Sequence, residues 1–182
     1  MTEISEKYPI GEFDCPTAVT QKEVHTWIQD IKTLPSRVRA LTQSLNDEQL
    51  AYTYREGGWT VRQLVHHLAD SHINGYVRFK LALTEDTPTI KSYQEAKWAQ
   101  LIDSELPIHV SLTMLEALHE RWTYLLEHLS EAQLKRTYAF PDQRKMRVEQ
   151  SIALYAWHGN HHLAHIQKAL ERQNWTNDSP SC

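Results

Sequence analysis

The residues best suited to chemistry in this chain are histidines, which are unusually frequent and unevenly spread. Eleven occur among 182 residues. Seven of them fall into two short stretches: His66, His67 and His72 in the first, and His158, His161, His162 and His165 in the second. Imidazole nitrogens bind zinc, nickel, copper and iron. The pattern therefore predicts a metal site built from both stretches.

The second stretch offers two pairs of histidines at helical spacing. Residues four apart on a helix lie about 40° apart on one face, which pairs His158 with His162 and His161 with His165. A helical wheel places His158 and His162 beside the apolar stripe and His161 almost opposite. The stripe consists of Val148, Ile152, Tyr155, Leu163, Ile166 and Leu170. We predict that His158 and His162 face the interior and bind metal, and that His161 and His165 form a solvated or interface pair.

A third ligand must come from the first stretch, since catalytic zinc-type sites commonly use three protein ligands and leave one position open. The wheel puts His72 nearest the apolar centre, so periodicity alone does not select His67. His67 instead shares a polar stripe with Gln63, Asp70, Asn74 and Arg78. Such a stripe is either a solvated face or the lining of a cavity. In a cavity, Gln63, Asp70 and Asn74 would be hydrogen-bond partners for a metal-bound His67.

No glutamate follows His158, so the H-E-x-x-H arrangement with glutamate as general base does not apply. The candidates for a base are a metal-bound hydroxide, a neighbouring histidine and Asp70, and we assign Asp70 as the predicted catalytic residue.

Four amphipathic segments must position these groups. Apolar residues recur at three- and four-residue steps over 21–44, 60–83, 110–129 and 148–172, which predicts helices. Pro35 is expected to bend or divide the first of them. Thr60, with Gln63 three residues later, predicts the N-cap of the second. The fold class is therefore all-α, a four-helix bundle, in which metal sites commonly form between facing helices.

The remaining segments connect and flank the helices within one predicted domain, 1–182. Residues 1–20 are predicted to form an extended arm over the surface, and 173–182 a frayed tail. Residues 46–49 resemble the cap of a short turn. The connection 85–108 has room for a short helix, and 136–147 is predicted as a loop or small hairpin. These long connections leave a crossover topology open.

Composition excludes several classes of partner. The net charge is −4 and the basic residues are scattered, so we expect no nucleic-acid binding. No apolar run approaches the length of a membrane-spanning helix, which is about 20 residues. The N-terminal sequence lacks the features of a secretory signal, and Cys15 and Cys182 form no metal or disulfide motif. These features predict a cytoplasmic protein.

Three longer motifs resemble the DinB/YfiT-like family, in particular its YfiT branch of metal-dependent hydrolases and bacillithiol S-transferase-like proteins. They are Tyr-Pro-Ile-Gly at 8–11, Gly-Gly-Trp-Thr-Val-Arg-Gln-Leu-Val-His-His-Leu-Ala-Asp-Ser-His at 57–72, and Tyr-Ala-Trp-His-Gly-Asn-His-His-Leu-Ala-His-Ile at 155–166. The resemblance implies a four-helix bundle, a homodimer and a divalent metal, Zn²⁺ or Ni²⁺. It places the ligands at His67, His158 and His162, which selects His67 over His72.

Three functions are compatible with such a site. In the first, a hydrolase, the metal bound by three histidines activates water against a small-molecule substrate. In the second, an S-transferase, it activates a low-molecular-weight thiol such as bacillithiol. Arg78 could hold a carboxylate of that thiol, but a surface or dimer role is the alternative. The third is a non-catalytic metal-binding stress protein, for which the fourth coordination position would be closed.

Overall fold

The computed structural model describes residues 6–173, which contain four long helices. They are α1 (Gln21–Thr42), α2 (Val61–Thr84), α3 (His109–Glu127) and α4 (Val148–Arg172). These bounds differ from the predicted ones by at most two residues. The all-α fold class is therefore confirmed. None of the helices among the described residues is long and apolar enough to cross a membrane.

Capping residues fix where the helices begin. Thr60 accepts a hydrogen bond from the backbone N–H of Gln63 at 3.1 Å, and the Gln63 side chain accepts one in return from the Thr60 N–H at 3.0 Å. This reciprocal pair satisfies two donors that a helix start leaves unpaired, as predicted. Asn46 and Gln49 form the same pair at the short helix Asp47–Leu50.

Pro35 neither divides nor ends α1, which continues from Gln21 to Thr42. Of the two predicted effects of Pro35, a bend or a division, the division is wrong. A proline inside a helix removes the N–H that would bond the carbonyl four residues earlier, which here belongs to Ile31. That carbonyl instead accepts a hydrogen bond from Nδ1 of His119 on α3, at 2.7 Å. The helix therefore tolerates Pro35 because a neighbouring helix supplies the missing donor.

Helices that follow one another in the sequence are not always neighbours in the bundle. α1 packs against α3 and α4, and α2 packs against the same two helices. Consecutive helices α1 and α2 thus lie on one diagonal of the bundle, and α3 and α4 on the other. The connection after α2 contains a short helix, Glu95–Trp98, and a 3-10 turn, Ile102–Glu105. This order makes α2 and α4, which carry the two histidine stretches, direct neighbours.

A small hairpin follows α3, after the short helix Glu131–Leu134. Strands β1 (Thr137–Ala139) and β2 (Lys145–Arg147) pair antiparallel, with Tyr138 opposite Met146. The Tyr138 hydroxyl lies 2.8 Å from the Ser151 hydroxyl, which fastens the hairpin to α4. The hairpin predicted within 136–147 is therefore present.

The apolar core consists of two clusters that meet near His72. Leu68 belongs to one cluster and Phe79 to the other, and His72 lies between them along α2. Close packing at this level requires Gly75, since a Cβ there would lie 2.4 Å from the Tyr155 ring. Polar groups at the junction of two apolar clusters need partners within the protein.

The arm predicted over 1–20 is described from residue 6 onward, and it lies against α4. The Trp157 indole N–H donates to the Gly11 carbonyl at 3.2 Å, and the Phe13 ring packs beside Trp157 at 5.8 Å. Residues 1–5 of the arm and 174–182 of the predicted tail lie outside the described residues.

Candidate metal centre

The structure brings His67 of α2 together with His158 and His162 of α4. Nε2 of His67 and Nε2 of His158 lie 3.3 Å apart, and the three side chains each offer a nitrogen within 4.8 Å of the others. Tetrahedral coordination with zinc–nitrogen bonds of about 2.0–2.1 Å separates ligand nitrogens by about 3.3–3.4 Å. The spacing of the His67 and His158 nitrogens thus fits a single small cation.

The same three imidazoles are held in the uncharged form that binds cations. His67 is 5% exposed and His162 8%, while His158 is half-buried. Burial lowers the pKa of His67 to about 4 and holds the pKa values of His158 and His162 well below the ordinary range, with neighbouring histidines adding to the effect. Because protonated imidazole has no free lone pair, this environment favours a metal over a proton.

Two groups next to the ligands were not predicted from the sequence. The Trp59 ring lies 4.6 Å from the His67 ring and 6.2 Å from that of His162, so it forms an apolar wall. The Ser71 hydroxyl lies 3.4 Å from Nε2 of His158. Ser71 is four residues after His67, the helical step that places both side chains on one face of α2.

The polar residues expected around His67 bond elsewhere. Gln63 donates to the Ala99 carbonyl at 3.0 Å, and Asn74 donates to the backbone carbonyl of Asp70 at 2.8 Å. The prediction that Gln63 and Asn74 hydrogen-bond His67 is therefore wrong, because capping and local backbone bonds occupy them. The polar stripe nevertheless lines the interior in part, since Asp70 is half-buried.

Asp70 lies one helical turn beyond His67, outside the group of potential ligands. Burial, with a smaller contribution from Asp103, raises the pKa of its carboxyl group to about 6. A carboxylic acid that titrates near 6 can exchange a proton close to neutral pH, as general bases and acids do. Its role as a catalytic residue stays a prediction.

His161 and His165 are buried, so the first alternative predicted for this pair, a solvated position, is wrong, and the interface alternative stays a prediction. His165 donates from Nε2 to the Lys7 carbonyl at 3.1 Å, and the Tyr8 ring lies 6.0 Å from the His161 ring. Both partners belong to the arm, which covers the face of α4 that the wheel assigned to solvent. Together with His162 these histidines form a second group that could hold a cation, and Nδ1 of His161 has no hydrogen-bond partner among the described residues.

His72 and His66 lie next to the candidate ligands without joining them. His72 is fully buried and bonds His119 of α3 at 2.9 Å and His158 at 3.2 Å. His66 bonds the Ser111 hydroxyl at 2.7 Å and the Leu106 carbonyl at 2.9 Å, and so joins α2 to α3 and its preceding loop.

His119 was not predicted as a site residue, although its position in the sequence indicates that it is buried. It follows Leu115 by four residues and precedes Trp122 by three, so it belongs to the apolar stripe of α3. A histidine on such a stripe must find partners inside the protein.

A half-buried cation lies beside the candidate centre. Arg78 donates to the Tyr155 hydroxyl at 3.2 Å, and it forms no ion pair with a carboxylate among residues 6–173. The Tyr93 hydroxyl is buried and lies close enough to Arg78 to be affected by its charge. A cavity of about 380 Å³ opens along Asn74, Tyr93 and Trp98.

Known proteins resemble this chain over most of its length. A protein of Halalkalibacterium halodurans named "Putative metal-dependent hydrolase" is 63% identical over 169 residues, which cover 93% of this chain and 99% of the relative. The solved structure of YfiT from Bacillus subtilis is 43% identical with a TM-score of 0.92, covering 95% of this chain and all of that one. It is described as "a probable metal-dependent hydrolase with an unusual four-helix bundle topology".

A more distant structure, the mycothiol-dependent maleylpyruvate isomerase, shares the fold with a TM-score of 0.63 at 15% identity and covers 79% of this chain and 60% of the isomerase. The model of the DinB superfamily matches residues 30–166, which include all three candidate ligands. By these similarities the chain belongs to the DinB superfamily.

Proposed function

We propose that this protein is a metal-dependent hydrolase whose divalent cation is held by His67, His158 and His162. The observation that carries the proposal is the convergence of three uncharged imidazoles from two helices, two of them buried and one half-buried, with two Nε2 atoms 3.3 Å apart. Its relatives carry the name of metal-dependent hydrolases, which supports the same reaction class.

When bound, a divalent cation would act as a Lewis acid and make water acidic enough to be a nucleophile near neutral pH. The chain's own residues have separate tasks. The three imidazoles hold the cation, and Trp59 keeps one side of the centre apolar. Asp70 accepts a proton during the reaction, and its raised pKa of about 6 suits that exchange. The nitrogen ligands suit Zn²⁺ and Ni²⁺ alike.

Arg78 favours a second candidate function, transfer of a low-molecular-weight thiol. A half-buried guanidinium without a carboxylate partner in the described chain is suited to bind a carboxylate of the substrate. A thiol such as bacillithiol would lose its proton to Asp70, and its sulfur would form a bond to the carbon of an electrophile as the leaving group departs with the electron pair of the broken bond. The same cation favours thiolate formation by its charge.

The partner of the protein is proposed to be a small molecule, and a second copy of the chain is proposed as its assembly partner. The homodimer rests on the family resemblance. Light scattering coupled to gel filtration measures it directly, and a monomer at micromolar concentration would exclude it.

The test begins with protein loaded separately with Zn²⁺ and Ni²⁺ and stripped protein as the blank. One set of assays follows hydrolysis of esters and amides, and a second follows loss of bacillithiol in the presence of an electrophile. His158→Ala removes a ligand, and His25→Ala is the matched control because His25 is exposed on α1. Hydrolysis that needs metal and His158, and not His25, supports the hydrolase.

Other outcomes decide between the alternatives. Thiol consumption without hydrolysis replaces the hydrolase with the S-transferase, and its absence at any metal loading excludes the S-transferase. Loss of stability in His158→Ala, with no activity in the wild type towards either substrate set, assigns the site to a non-catalytic metal-binding protein.

A further inference from the structure

A chain of hydrogen bonds crosses the bundle from α1 to the candidate metal centre. The Ile31 carbonyl on α1 lies 2.7 Å from Nδ1 of His119, and Nε2 of His119 lies 2.9 Å from Nδ1 of His72. Nε2 of His72 lies 3.2 Å from Nδ1 of His158. His72 and His119 are 0% and 1% exposed. Three histidines from three helices thus connect a backbone carbonyl to a candidate metal ligand.

The carbonyl at one end sets the direction of every bond in this chain. A carbonyl only accepts, so Nδ1 of His119 carries the hydrogen. A neutral imidazole has one N–H, so Nε2 of His119 accepts, and Nδ1 of His72 must donate to it. Nε2 of His72 then accepts from Nδ1 of His158. The remaining nitrogen of His158, Nε2, keeps its lone pair and faces the other two ligands.

Neutrality of the two middle rings follows from their surroundings. His72 is enclosed by the rings of Trp122, Tyr155 and His119. Burial lowers the pKa of His119 to about 4, although its bond to the Ile31 carbonyl acts in the opposite direction. No carboxylate among residues 6–173 forms an ion pair with either ring. A charged imidazole at these positions would lack compensation.

The acceptor at the start of the chain is available because of the local sequence of α1. In an uninterrupted helix the Ile31 carbonyl would accept from the N–H of residue 35. Pro35 has no N–H. The carbonyl is therefore left for His119, which lies on the neighbouring helix α3.

We propose that Pro35, the Ile31 carbonyl, His119 and His72 form a tautomer relay that holds His158 with Nε2 unprotonated and directed at the metal. His119 and His72 are positioning residues, since they act through His158. The role of the relay in metal binding rests on the proposed metal centre. The tautomers themselves do not, because they are expected in the metal-free protein as well.

A shorter chain of the same polarity reaches a second ligand. The Lys7 carbonyl accepts from Nε2 of His165 at 3.1 Å, so Nδ1 of His165 accepts in turn. It lies 3.4 Å from Nδ1 of His162, which must be the donor. Nε2 of His162 is left with its lone pair. Two ligands on α4 are thus oriented from backbone carbonyls that lie outside that helix.

The tautomers are measured by ¹⁵N NMR of ring nitrogens in the full-length, metal-free protein above pH 7. The expected result is N–H at Nδ1 in His119, His72 and His158, with Nε2 unprotonated. A His158 ring protonated at Nε2 in the wild type overturns the relay without any variant.

Variants of His119 provide the second arm, with Zn²⁺ affinity measured by competition with a chelator. His119→Leu removes the acceptor for His72 and should weaken Zn²⁺ binding by roughly 10–100-fold, the usual effect of losing an outer partner of a ligand. His119→Gln can still accept from Nδ1 of His72 through its amide oxygen, so it should retain the tautomers and most of the affinity.

Thr123→Val is the matched control, because Thr123 is buried one turn further along α3 and bonds only its own helix. It should leave the tautomers and the affinity unchanged. Unaltered tautomers and affinity in His119→Leu overturn the relay, whatever reaction the protein performs. Failure of all hydrolysis and thiol assays, with tautomers and affinities as expected, overturns the proposed function alone.

Discussion

Pro35 lies four residues after Ile31 in α1, and the Ile31 carbonyl accepts its hydrogen bond from His119 rather than from the helix. Pro35 lacks the N–H that would bond the Ile31 carbonyl. It thereby leaves this carbonyl as an acceptor at a defined point in the bundle. Because hydrogen bonds lead from His119 through His72 to His158, a backbone carbonyl of α1 is connected to a candidate metal ligand on α4.

Pro35→Ala tests this coupling from its far end. Alanine restores an N–H that competes with His119 for the Ile31 carbonyl, and a carbonyl shared by two donors holds each less firmly. We expect weaker Zn²⁺ binding, by a smaller factor than in His119→Leu, with no loss of helix content. Chelator competition measures the affinity, and circular dichroism measures the helix content. An unchanged affinity would show that Pro35 is not needed to orient His119.

Metal removal should lower the stability of the wild type. Binding to the folded state alone stabilises it by about 2.7 kcal/mol when the free metal exceeds its Kd 100-fold. Denaturant unfolding with Zn²⁺ and with a chelator should show this difference in the wild type and in His25→Ala. His158→Ala and His162→Ala should lose it, with affinities reduced by more than about 100-fold. Loss of the stabilisation in His162→Ala but not in His158→Ala would move the metal to the group of His161, His162 and His165. Full stabilisation of both variants would place the metal outside both histidine groups.

Features that depend on residues close together in the sequence could be predicted, and features that depend on contacts between distant segments could not. Helices and their caps depend on residues three or four apart, so the bounds of α4 and the capping pair of Thr60 and Gln63 were predicted correctly. The inward-facing His158 and His162 depend on the same periodicity. Burial of His161 was missed because residues more than 140 positions earlier, in the arm, cover it.

Histidines within the bundle were harder to interpret. His119 stands alone in an apolar helix, and only the packing of α3 between α1 and α2 brings it to Ile31 and His72. The wheel correctly placed His72 in the core, yet a core position does not distinguish a ligand from a ligand's partner. That distinction depends on distances between helices, which periodicity does not contain.

Asp70→Asn should lower activity and raise stability. The pKa of Asp70 is about 6 in the fold, above its ordinary value of 3.8. The folded state therefore holds the proton more tightly between these pH values, and stability falls as pH rises through this window. Removing the charge should stabilise the metal-free protein at pH 8 by about 1–2 kcal/mol, allowing for partial solvent screening, and have little effect below pH 4.

The same variant tests the catalytic role of Asp70. If it is the base, activity of the wild type should fall below about pH 6, and Asp70→Asn should lose activity by about 100-fold or more while retaining Zn²⁺. Metal content and the pH–rate profile separate the two effects. A variant with wild-type kcat would remove Asp70 from the mechanism and leave the stability prediction standing.

Arg78→Gln should impair binding of substrates that carry a carboxylate. The guanidinium is half-buried and its described partner is the neutral Tyr155 hydroxyl, so its charge is available to a ligand. We expect KM to rise by about 10-fold for a carboxylate-bearing thiol or ester and to change little for the neutral methyl ester. Lys80→Gln, at an exposed position on the same helix, is the control. Equal effects on charged and neutral substrates would reduce Arg78 to a structural residue.

Acid should destabilise the metal-free protein partly through His119. Its pKa is about 4 in the fold and 6.5 in the unfolded chain, so unfolding takes up a proton between these values and stability falls as pH drops through this window. His72 and the Ile31 carbonyl face the ring, and Lys32, Glu116 and Glu120 line the cavity beside it. A difference of 2.5 pKa units corresponds to about 3 kcal/mol. His119→Gln should therefore lose less stability than the wild type between pH 7 and pH 4 in denaturant titrations. Equal losses in the two proteins would show that the His119 ring takes up its proton in the folded state over the same pH range as in the unfolded chain.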